Sequence, residues 1–598
     1  MTNYQLRDAN PDSRSRNLET ALWVALAFVA AVPRLTDLAA APLSGAEAVQ
    51  ALAAYRAAHA TEAWFAVEAR SVVPLLFHLN TFLFALFGGG DGLARLVPAL
   101  AGVGLALTPL LLRRYLGLWG ALGTGLLLAL SPTALCFSRT LDGTVPAALG
   151  VMVLVSCAAR FLDTWRSSLV TLGGLGLAVV LTAGPGGWGL LLGLLIALAG
   201  GLWVWRDQVP WVWPMVRPAL GRGLAAAGLG MLALGTGLGL NPGGLAAVGE
   251  QPMAWLARFG PSTGQPGPSP FTLLLGYEPL VLLAGLVGLV LAVRRRHGMG
   301  LLWAFWAAVG GLQLALMPGR QPADLLWVLL PLAGLGGLAV EDLARSLQAH
   351  GRWLNEGLHM LVSLILWVHW GLALARYAHT GDPTDRFLVG LVVALQVLLT
   401  AAFGFAVAAP EPGEGPAQAA GRGLMAALRA GGLSLGLLLL AVTFSAGWGL
   451  SHRRPADPRE LMVQGATAVE VRTLVEVVGQ VGLLSTGVET GLSVTLLGET
   501  DPALAWALRR FDGRVLEGEA LVPGEQPLLV IAPVRLPPPP GYFGERFPLR
   551  RAWTPRWGGQ ETARWWLYRE TATPPVVTEQ IVLWVREDLG TRAVTNDQ

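Results

Sequence analysis

The chain has 598 residues, of which 53% are hydrophobic and only 14% are charged, and its formal net charge at pH 7 is +3. About a quarter of the residues in ordinary soluble domains are charged, so this composition excludes a water-soluble enzyme of this size. Two cysteines exclude a disulfide scaffold, and the small net charge gives no reason to expect nucleic acid as a partner. A polytopic membrane protein remains, in agreement with the mean hydropathy of +0.53.

Thirteen apolar runs are candidates for helices that cross a bilayer. The first follows a polar N-terminal tail, residues 1–17, and no small-residue cleavage pattern follows it, so we interpret it as a signal anchor. The runs lie near residues 18–33, 96–112, 116–137, 144–159, 168–183, 185–205, 223–240, 278–293, 299–317, 325–340, 354–375, 387–409 and 430–450. The sequence therefore predicts a transmembrane domain over residues 18–450.

The segment 71–88 (SVVPLLFHLNTFLFALFG) is also apolar, and the distribution of arginine decides its placement. All 42 basic residues are arginine, and cytoplasmic loops are enriched in basic residues. If the segment does not cross, 14 arginines lie at cytoplasmic ends and 5 in outer loops; if it crosses, the ratio inverts. We therefore predict a juxtamembrane helix on the outer face, with the N-terminus inside and everything after residue 450 outside. The inner set is Arg113, Arg114, Arg160, Arg166, Arg206, Arg217, Arg222, Arg294, Arg295, Arg296, Arg345, Arg352, Arg422 and Arg429, and the outer set is Arg139, Arg258, Arg320, Arg376 and Arg386.

Two regions outside the spans are predicted to carry function or a second domain. The first outer loop, roughly 34–94, is long for a connection between spans, which is typical of a functional loop. After a flexible cytoplasmic linker at 410–421 and the last span, charge density rises and helix-like and strand-like patterns alternate. This alternation predicts an extracytoplasmic α/β domain over 451–598. The pattern places helices at 466–481 and 502–510, and strands at 492–498, 528–533 and 581–586.

Ionisable residues beside the outer face are the candidates for chemistry, because placing them there is costly. Glu47 lies in LSGAEAVQ after the first span, and Asp142 in SRTLDGTVP after the third. Glu47 also fits a solvated acid in a first helical turn, and Asp142 also fits a helix N-cap. Arg95, Arg139 and Arg320 suit either membrane anchors or contacts to a phosphate diester. The eight histidines lack metal-ligand spacing, and no phosphate-binding loop occurs, so neither a metal nor a cofactor is predicted.

The order of these motifs resembles the membrane glycosyltransferases of the GT-C fold, the class that includes protein O-mannosyltransferases and the aminoarabinose transferase of lipid A. Those proteins have an Asp-Glu pair in the first outer loop, then a Gly-then-Arg element, a Ser-Pro and Ser-Arg segment ending in an acid, and a basic loop before a proline-bearing span. The matching residues are Ala46 and Glu47 in GAEA, Arg95 in FGGGDGLARLVPALAG, Arg139 and Asp142 in LALSPTALCFSRTLDG, and Arg320 in GRQPADLLWVLLP.

Within that class the chain is similar to glycosyltransferase-39-like proteins related to an archaeal N-glycosylation protein associated with lipid flippase activity. Tyr277 and Glu278 in GYEPLVLLAGLVGL match the Tyr-Glu-Pro span of that subgroup. DPALAWALRRFDG and GYFGERFPLRRAW match its outer domain. The chain departs from the family at Ala46, which stands where the family has an aspartate, and in ARSVVPLL, which lacks the family histidine.

The resemblance implies a GT-C domain of about 13 transmembrane helices that moves a sugar from a polyprenyl phosphate to a glycan, lipid or protein acceptor on the outer face of the cytoplasmic membrane. It implies acid–base roles for Glu47 and Asp142, and contacts of Arg95, Arg139 and Arg320 to the lipid phosphate. Because Ala46 replaces the family aspartate, an inactive relative stays open, as does a flippase-associated or accessory protein for lipid-linked sugars. We expect Glu47 and Asp142 to flank one outer-facing cavity under helix 71–88.

Overall fold

The computed structural model of the protein describes residues 13–59, 73–204, 206, 209–261, 268–350, 353–409, 415–498, 501–516, 520–521 and 526–588. Most of the predicted N-terminal tail, residues 71–72 of the predicted outer helix and residues 410–414 of the predicted linker lie outside the described residues. Over the described ranges the chain forms a large helical bundle followed by a smaller domain that contains a β-sheet.

Twenty α-helices make up the first part of the described chain. They are α1 (Ser13–Leu35), α2 (Gly45–His59), α3 (Pro74–Phe87), α4 (Asp91–Ala94), α5 (Leu96–Leu107), α6 (Arg113–Leu116), α7 (Leu118–Leu130), α8 (Pro132–Ser138), α9 (Thr144–Thr164), α10 (Ser167–Thr182), α11 (Pro185–Val204), α12 (Val209–Thr236), α13 (Gly244–Ala257), α14 (Pro270–Tyr277), α15 (Pro279–Arg294), α16 (Gly298–Leu316), α17 (Leu326–His350), α18 (Trp353–Thr380), α19 (Pro383–Val407) and α20 (Pro416–Trp448).

Every predicted apolar run coincides with one of these helices or with a bent pair. Ten helices in the described chain are long and apolar enough to cross a membrane, and counting each bent pair as one span gives 12. The remaining predicted span is α10, which has only 16 residues. The chain is thus a multi-pass membrane protein, while the count of thirteen spans stays a prediction. Helix α3, with 14 residues, extends about 21 Å, less than the ~30 Å of a hydrocarbon core.

The two bent pairs place polar residues inside the bundle. Helices α7 and α8 meet at 60°, and α14 and α15 at 102°. In each pair a proline begins the second helix, where its missing N–H costs no helical hydrogen bond. At the first bend the Ser131 hydroxyl accepts a hydrogen bond from the N–H of Ala134. Helix α8 is short and ends at Ser138. Arg139 and Asp142 therefore follow directly after it and lie at one end of the bundle.

Helix α17 packs against α7, α15 and α16. Most of its first half is buried, and Trp327 at its start is fully buried together with Trp303 and Trp306 of α16. Glycines in α15 and α7 allow the neighbouring backbones to approach closely. A Cβ atom built on Gly288 would lie 1.9 Å from the carbonyl oxygen of Leu335, so only glycine fits there.

The C-terminal part is an α/β domain, as predicted. Its elements are α21 (Glu470–Thr486), β1 (Ser493–Leu497), α22 (Pro502–Ala507), β2 (Asp512–Leu516), β3 (Leu529–Pro533), β4 (Tyr542–Ala552), α23 (Gly559–Tyr568) and β5 (Val576–Arg586). The strand order is β2-β1-β3-β5-β4. Strands β2, β1 and β3 are parallel, whereas β5 runs antiparallel to β3 and β4. The predicted elements are present within a few residues, but β2, β4 and α23 had no prediction.

The α/β domain packs directly on the first large loop of the membrane domain. Ala503 and Trp506 of α22 share one apolar cluster with α2 and α3. The indole N–H of Trp506 donates to Asp91 over 2.7 Å, and Arg509 donates to the carbonyl oxygen of Gly89 over 2.9 Å. The first loop and the α/β domain therefore lie at the same end of the bundle, and together they enclose the space described next.

Candidate functional site

Glu47 and Arg95 form a buried ion pair at this end of the bundle. The guanidinium binds the carboxylate in a fork, with Nε to Oε1 at 2.8 Å and Nη2 to Oε2 at 2.9 Å. Arg95 also donates to the carbonyl oxygens of Leu38, Ala41 and Pro42. A guanidinium has five N–H donors, and these contacts account for all five. Arg95 therefore fixes the loop between α1 and α2 onto the start of α5.

The remaining acceptor positions of Glu47 are also occupied. Oε1 accepts from the N–H of Leu141 at 2.8 Å, and Oε2 accepts from the N–H and hydroxyl of Ser44 at 2.9 and 3.0 Å. Burial by itself would raise the pKa of Glu47, but the charge and hydrogen bonds of Arg95, aided by the N–H groups of Ser44 and Leu141, hold that pKa below its ordinary value. Glu47 is thus a fully engaged, ionised carboxylate.

Arg139 joins the end of α8 to the end of α1. Its Nη1 donates to the carbonyl oxygens of Pro33 and Thr36, and its Nη2 donates to that of Asp37. A cation at a helix C-terminus is stabilised by the partial negative charge of the last carbonyls. Three of the five N–H donors are used, and among the described residues no carboxylate lies within ion-pair distance of Arg139. This arginine leaves both a net positive charge and two donors at the site.

Asp142 lies just before α9 and is only partly buried. Its Oδ1 accepts a hydrogen bond from the N–H of Thr144, the first residue of α9, at 2.7 Å, while the N-cap position of α9 is occupied by Gly143 and not by Asp142. Within the part of the chain that the structure describes, its other carboxylate oxygen has no hydrogen-bond partner. Asp142 is the acid of this region that keeps an oxygen available to a ligand.

One cavity of about 430 Å³ brings these residues together. Glu47, Arg95, Arg139 and Asp142 all line it, as do Cys136 and Phe137 of α8 and Gln321 to Ala323 before α17. Since the N–H of Leu141 lies 2.8 Å from Glu47, the carboxyl groups of Glu47 and Asp142 lie within about 11 Å of each other by chain geometry. We name this space the loop cavity.

The wall of the loop cavity differs from the expectation in one respect. None of the described lining residues belongs to α3, which packs instead on α2 and α12. The segment that follows α20 contributes to the wall with Leu450, Ser451, Pro455 and residues 462–466. Hydropathy could not show this, because that segment reaches the site only through contacts distant in sequence.

Arg320 is not among the residues that line the loop cavity. Its Nη1 donates to the carbonyl oxygen of Met317 at 3.3 Å, and its buried Nε has no partner among the described residues. The next residue, Gln321, does line the cavity. Arg258 pairs with Asp324 in the same loop at 3.1 Å. Arg320 therefore keeps N–H donors with no acceptor among the described residues, and it directly precedes a residue of the cavity wall.

Tyr277 and Glu278 lie elsewhere, at the bend between α14 and α15. The Tyr277 hydroxyl donates to Glu460 at 2.7 Å and accepts from the N–H of Leu461 at 3.0 Å. Glu460 is also paired with Arg454 and Arg569. This buried group, which the sequence analysis missed apart from Tyr277, fastens the segment after α20 against the bundle.

Glu278 instead joins the two bends of the bundle. It accepts hydrogen bonds from the hydroxyl of Ser131 at 2.6 Å and from the N–H of Thr133 at 2.8 Å. These contacts hold the start of α8, the helix whose other end supplies Arg139. The structure thus gives Glu278 an indirect connection to the loop cavity. Among the described residues, no group of three or more His, Cys, Asp or Glu could hold a metal ion.

Comparison with solved structures defines the fold. The chain matches the crystal structure of ArnT from Cupriavidus metallidurans bound to undecaprenyl phosphate with a TM-score of 0.54 at 16% identity, over 97% of this chain and 99% of that chain. It matches the apo state of the same protein with a TM-score of 0.53 at 17% identity, over 96% and 99%. The fold is therefore that of the GT-C glycosyltransferases, which confirms the fold that the motif resemblance implies. Comparison with protein-family models and with curated proteins gives no match.

Proposed function

We propose that this protein transfers a sugar from a polyprenyl phosphate to an acceptor hydroxyl in the loop cavity. The observation that carries the proposal is the convergence of Asp142, with an oxygen available, and Arg139, with two donors available, on one cavity at the end of the bundle. Support also comes from the similar fold of an ArnT that was crystallised with undecaprenyl phosphate. The outer face of the cytoplasmic membrane, with the α/β domain outside, is the proposed location, on the basis of the arginine distribution.

The proposed reaction needs one base and one group that binds the leaving phosphate. Asp142 accepts the proton of the acceptor hydroxyl as its oxygen bonds to the anomeric carbon. The bond between that carbon and the phosphate oxygen breaks, and the electron pair leaves with the polyprenyl phosphate. The products are the glycosylated acceptor and the free lipid phosphate, and Asp142 then releases its proton to water. General-base assistance of this kind contributes roughly 10²–10⁴ in rate.

The arginines divide between two roles in this proposal. Arg139 and Arg320 stabilise charge on the departing phosphate, since both have N–H donors with no acceptor among the described residues. Arg95 has no donor left for a phosphate. Arg95 and Glu47 therefore act as positioning residues that hold the loop and Leu141, and with it Asp142, against the cavity. This proposal changes the roles that the resemblance implies for Glu47 and Arg95.

The test is reconstitution of the purified protein in liposomes with a polyprenyl-phospho-sugar donor. Asp142→Asn should lower transfer at least 100-fold, because an amide does not accept the hydroxyl proton. Asp382→Asn is the matched control. Asp382 accepts from the N–H of Thr384 at 2.8 Å before α19, as Asp142 does from Thr144, and asparagine keeps such a cap.

Two outcomes would contradict the proposal. Full transfer by Asp142→Asn would remove the base from the mechanism. Movement of the lipid-linked sugar across the bilayer without any transfer would favour the flippase alternative, and absence of both in the wild-type protein would favour an accessory role.

A further inference from the structure

A second cavity, of about 690 Å³, lies in the α/β domain and is not part of the proposed reaction site. It opens at the carboxyl ends of the parallel strands β1 and β3. Its floor is apolar, with Leu496, Leu504 and Ile531 among the side chains. We name it the sheet cavity.

The topology of the sheet explains why a cavity forms there. After β1 the chain turns to one face of the sheet, where Leu504 of α22 packs with α21. After β3 it turns to the opposite face, where Leu536 packs with Val530. The chain after β1 and the chain after β3 thus pack on opposite faces of two neighbouring parallel strands, and such points are where open α/β sheets bind their ligands.

The charged residues around the sheet cavity indicate the class of ligand. Arg550 is paired with both Asp501 and Glu579, and the Nη1–Oε2 distance to Glu579 is 2.6 Å. Arg535 is exposed at the rim. Two acids and two arginines give no net charge, and Arg550 is already held by two carboxylates, so neither an anion nor a cation is favoured. Carboxylate oxygens and arginine N–H groups instead suit a neutral ligand rich in hydroxyl groups.

The sheet cavity lies next to the loop cavity. A Cβ atom built on Gly45 would lie 2.9 Å from Nη2 of Arg550, and the neighbours of Gly45, Ser44 and Ala46, line the loop cavity. Arg550 also forms a β-bridge with Thr467, which donates to the carbonyl oxygen of Leu43 at 2.7 Å. A ligand held in the sheet cavity is therefore close to the proposed reacting groups.

From these observations we infer that the sheet cavity binds a neutral sugar residue of the acceptor. This inference rests on the proposed function only where it identifies the bound sugar as part of the acceptor. Binding of a sugar to the sheet cavity does not itself require transfer. The carboxylates of Asp501 and Glu579 accept hydrogen bonds from sugar hydroxyls, and the apolar floor covers a face of the ring. The bound residue orients the rest of the acceptor toward the loop cavity.

The experiment measures binding of the purified full-length protein in detergent to an array of neutral, acidic and basic oligosaccharides, without donor. The wild-type protein should bind neutral glycans. Thr578→Trp, which fills the cavity from the exposed side of β5, should weaken binding at least tenfold, and Glu579→Gln should weaken it severalfold. Val515→Trp is the matched control, because Val515 is exposed on β2 and does not line the cavity.

The outcomes separate this inference from the proposed function. Asp142→Asn should lose transfer and keep glycan binding. No glycan binding by the wild-type protein, binding only to acidic or basic glycans, or equal loss in Thr578→Trp and Val515→Trp would each overturn the inference. Glycan binding by a protein that transfers no sugar would overturn the proposed function alone.

Discussion

The backbone N–H of Leu141 donates a 2.8 Å hydrogen bond to Oε1 of Glu47, and this contact joins two loop segments that are 94 residues apart. Asp142 is the next residue after Leu141, so its position depends on the Glu47 carboxylate. Glu47 in turn depends on Arg95, which holds it from the start of α5. The position of Asp142, the proposed base, therefore depends on the ion pair between Glu47 and Arg95. The Glu47 carboxylate in that pair has no acceptor position left for a ligand.

Removing the charge of Glu47 should destabilise the protein as well as reduce transfer. In Glu47→Gln the amide N–H₂ group faces donors of Arg95 or Ser44, and Arg95 loses its counter-ion. Breaking a buried pair on one side costs roughly 3–5 kcal/mol, so we expect a free energy of unfolding lower by about 3 kcal/mol. Thermal unfolding in detergent measures this. Glu250→Gln, at an exposed position of α13, should leave the unfolding temperature unchanged; equal shifts in the two variants would contradict the structural role.

Stability should depend on pH through the same carboxylate. The pKa of Glu47 is lowered in the folded protein from an ordinary value of 4.5. Its contribution is therefore complete above that value and is lost as the pH falls through the folded pKa. Melting temperatures measured from about pH 6 downward should fall more steeply for the wild-type protein than for Glu47→Gln below about pH 4.5. Parallel curves for the two proteins would show that Glu47 does not carry this dependence.

Arg139 and Arg320 should differ when each is replaced by lysine. An ammonium cannot reproduce the fork by which Arg139 binds three carbonyl oxygens on two nitrogens. Loss of one hydrogen bond of a charged group costs at least about 1.5 kcal/mol, so Arg139→Lys should lower transfer roughly tenfold or more. Arg320→Lys should have a smaller effect, because Arg320 has one carbonyl contact. Steady-state transfer with varied donor measures both, and full activity in the double variant would reduce both residues to membrane anchors.

The orientation of the chain can be tested with single introduced cysteines. The two native cysteines, Cys136 and Cys157, are buried, so they give little background with a membrane-impermeant thiol reagent. Ala520→Cys in the α/β domain should be labelled in intact cells. Ala349→Cys is the control at the other end of α17, since it follows Leu326 by 23 residues, about 35 Å along the helix. The reverse labelling pattern would show that the chain has the opposite orientation, with the α/β domain inside.

Tyr277 should matter for docking of the segment after α20 and not for the chemical step. Tyr277→Phe removes a hydroxyl that both donates to Glu460 and accepts from Leu461. The buried Glu460 then lacks one donor, at a cost of about 1–3 kcal/mol. We expect faster proteolytic cleavage between α20 and α21, with the transfer rate at saturating substrate little changed. Unchanged proteolysis would indicate that Arg454 and Arg569 hold Glu460 without help.

The amino-acid sequence by itself showed that the chain is a multi-pass membrane protein, and it predicted the positions of the membrane helices. Apolar runs predict buried or membrane-embedded helices because each backbone polar group must be satisfied within the helix, and every such run is helical here. Alternation of patterns after residue 451 likewise predicted the α/β domain, although it did not predict β2, β4 or α23. The motif order also led to the GT-C fold, which the structural similarity confirms.

Only the tertiary structure decided which polar groups meet. Glu47 and Arg95 are 48 residues apart in the sequence, and Tyr277 and Glu460 are 183 residues apart. Local hydropathy predicts neither pairing. Both depend on how bent helices such as α7 and α8 direct the following loops, and on the return of the chain after α20 to the first loop. The same packing left Asp142 with an oxygen available and Glu47 with none, because hydrogen-bond capacity is used up by neighbours in space and not by neighbours in sequence.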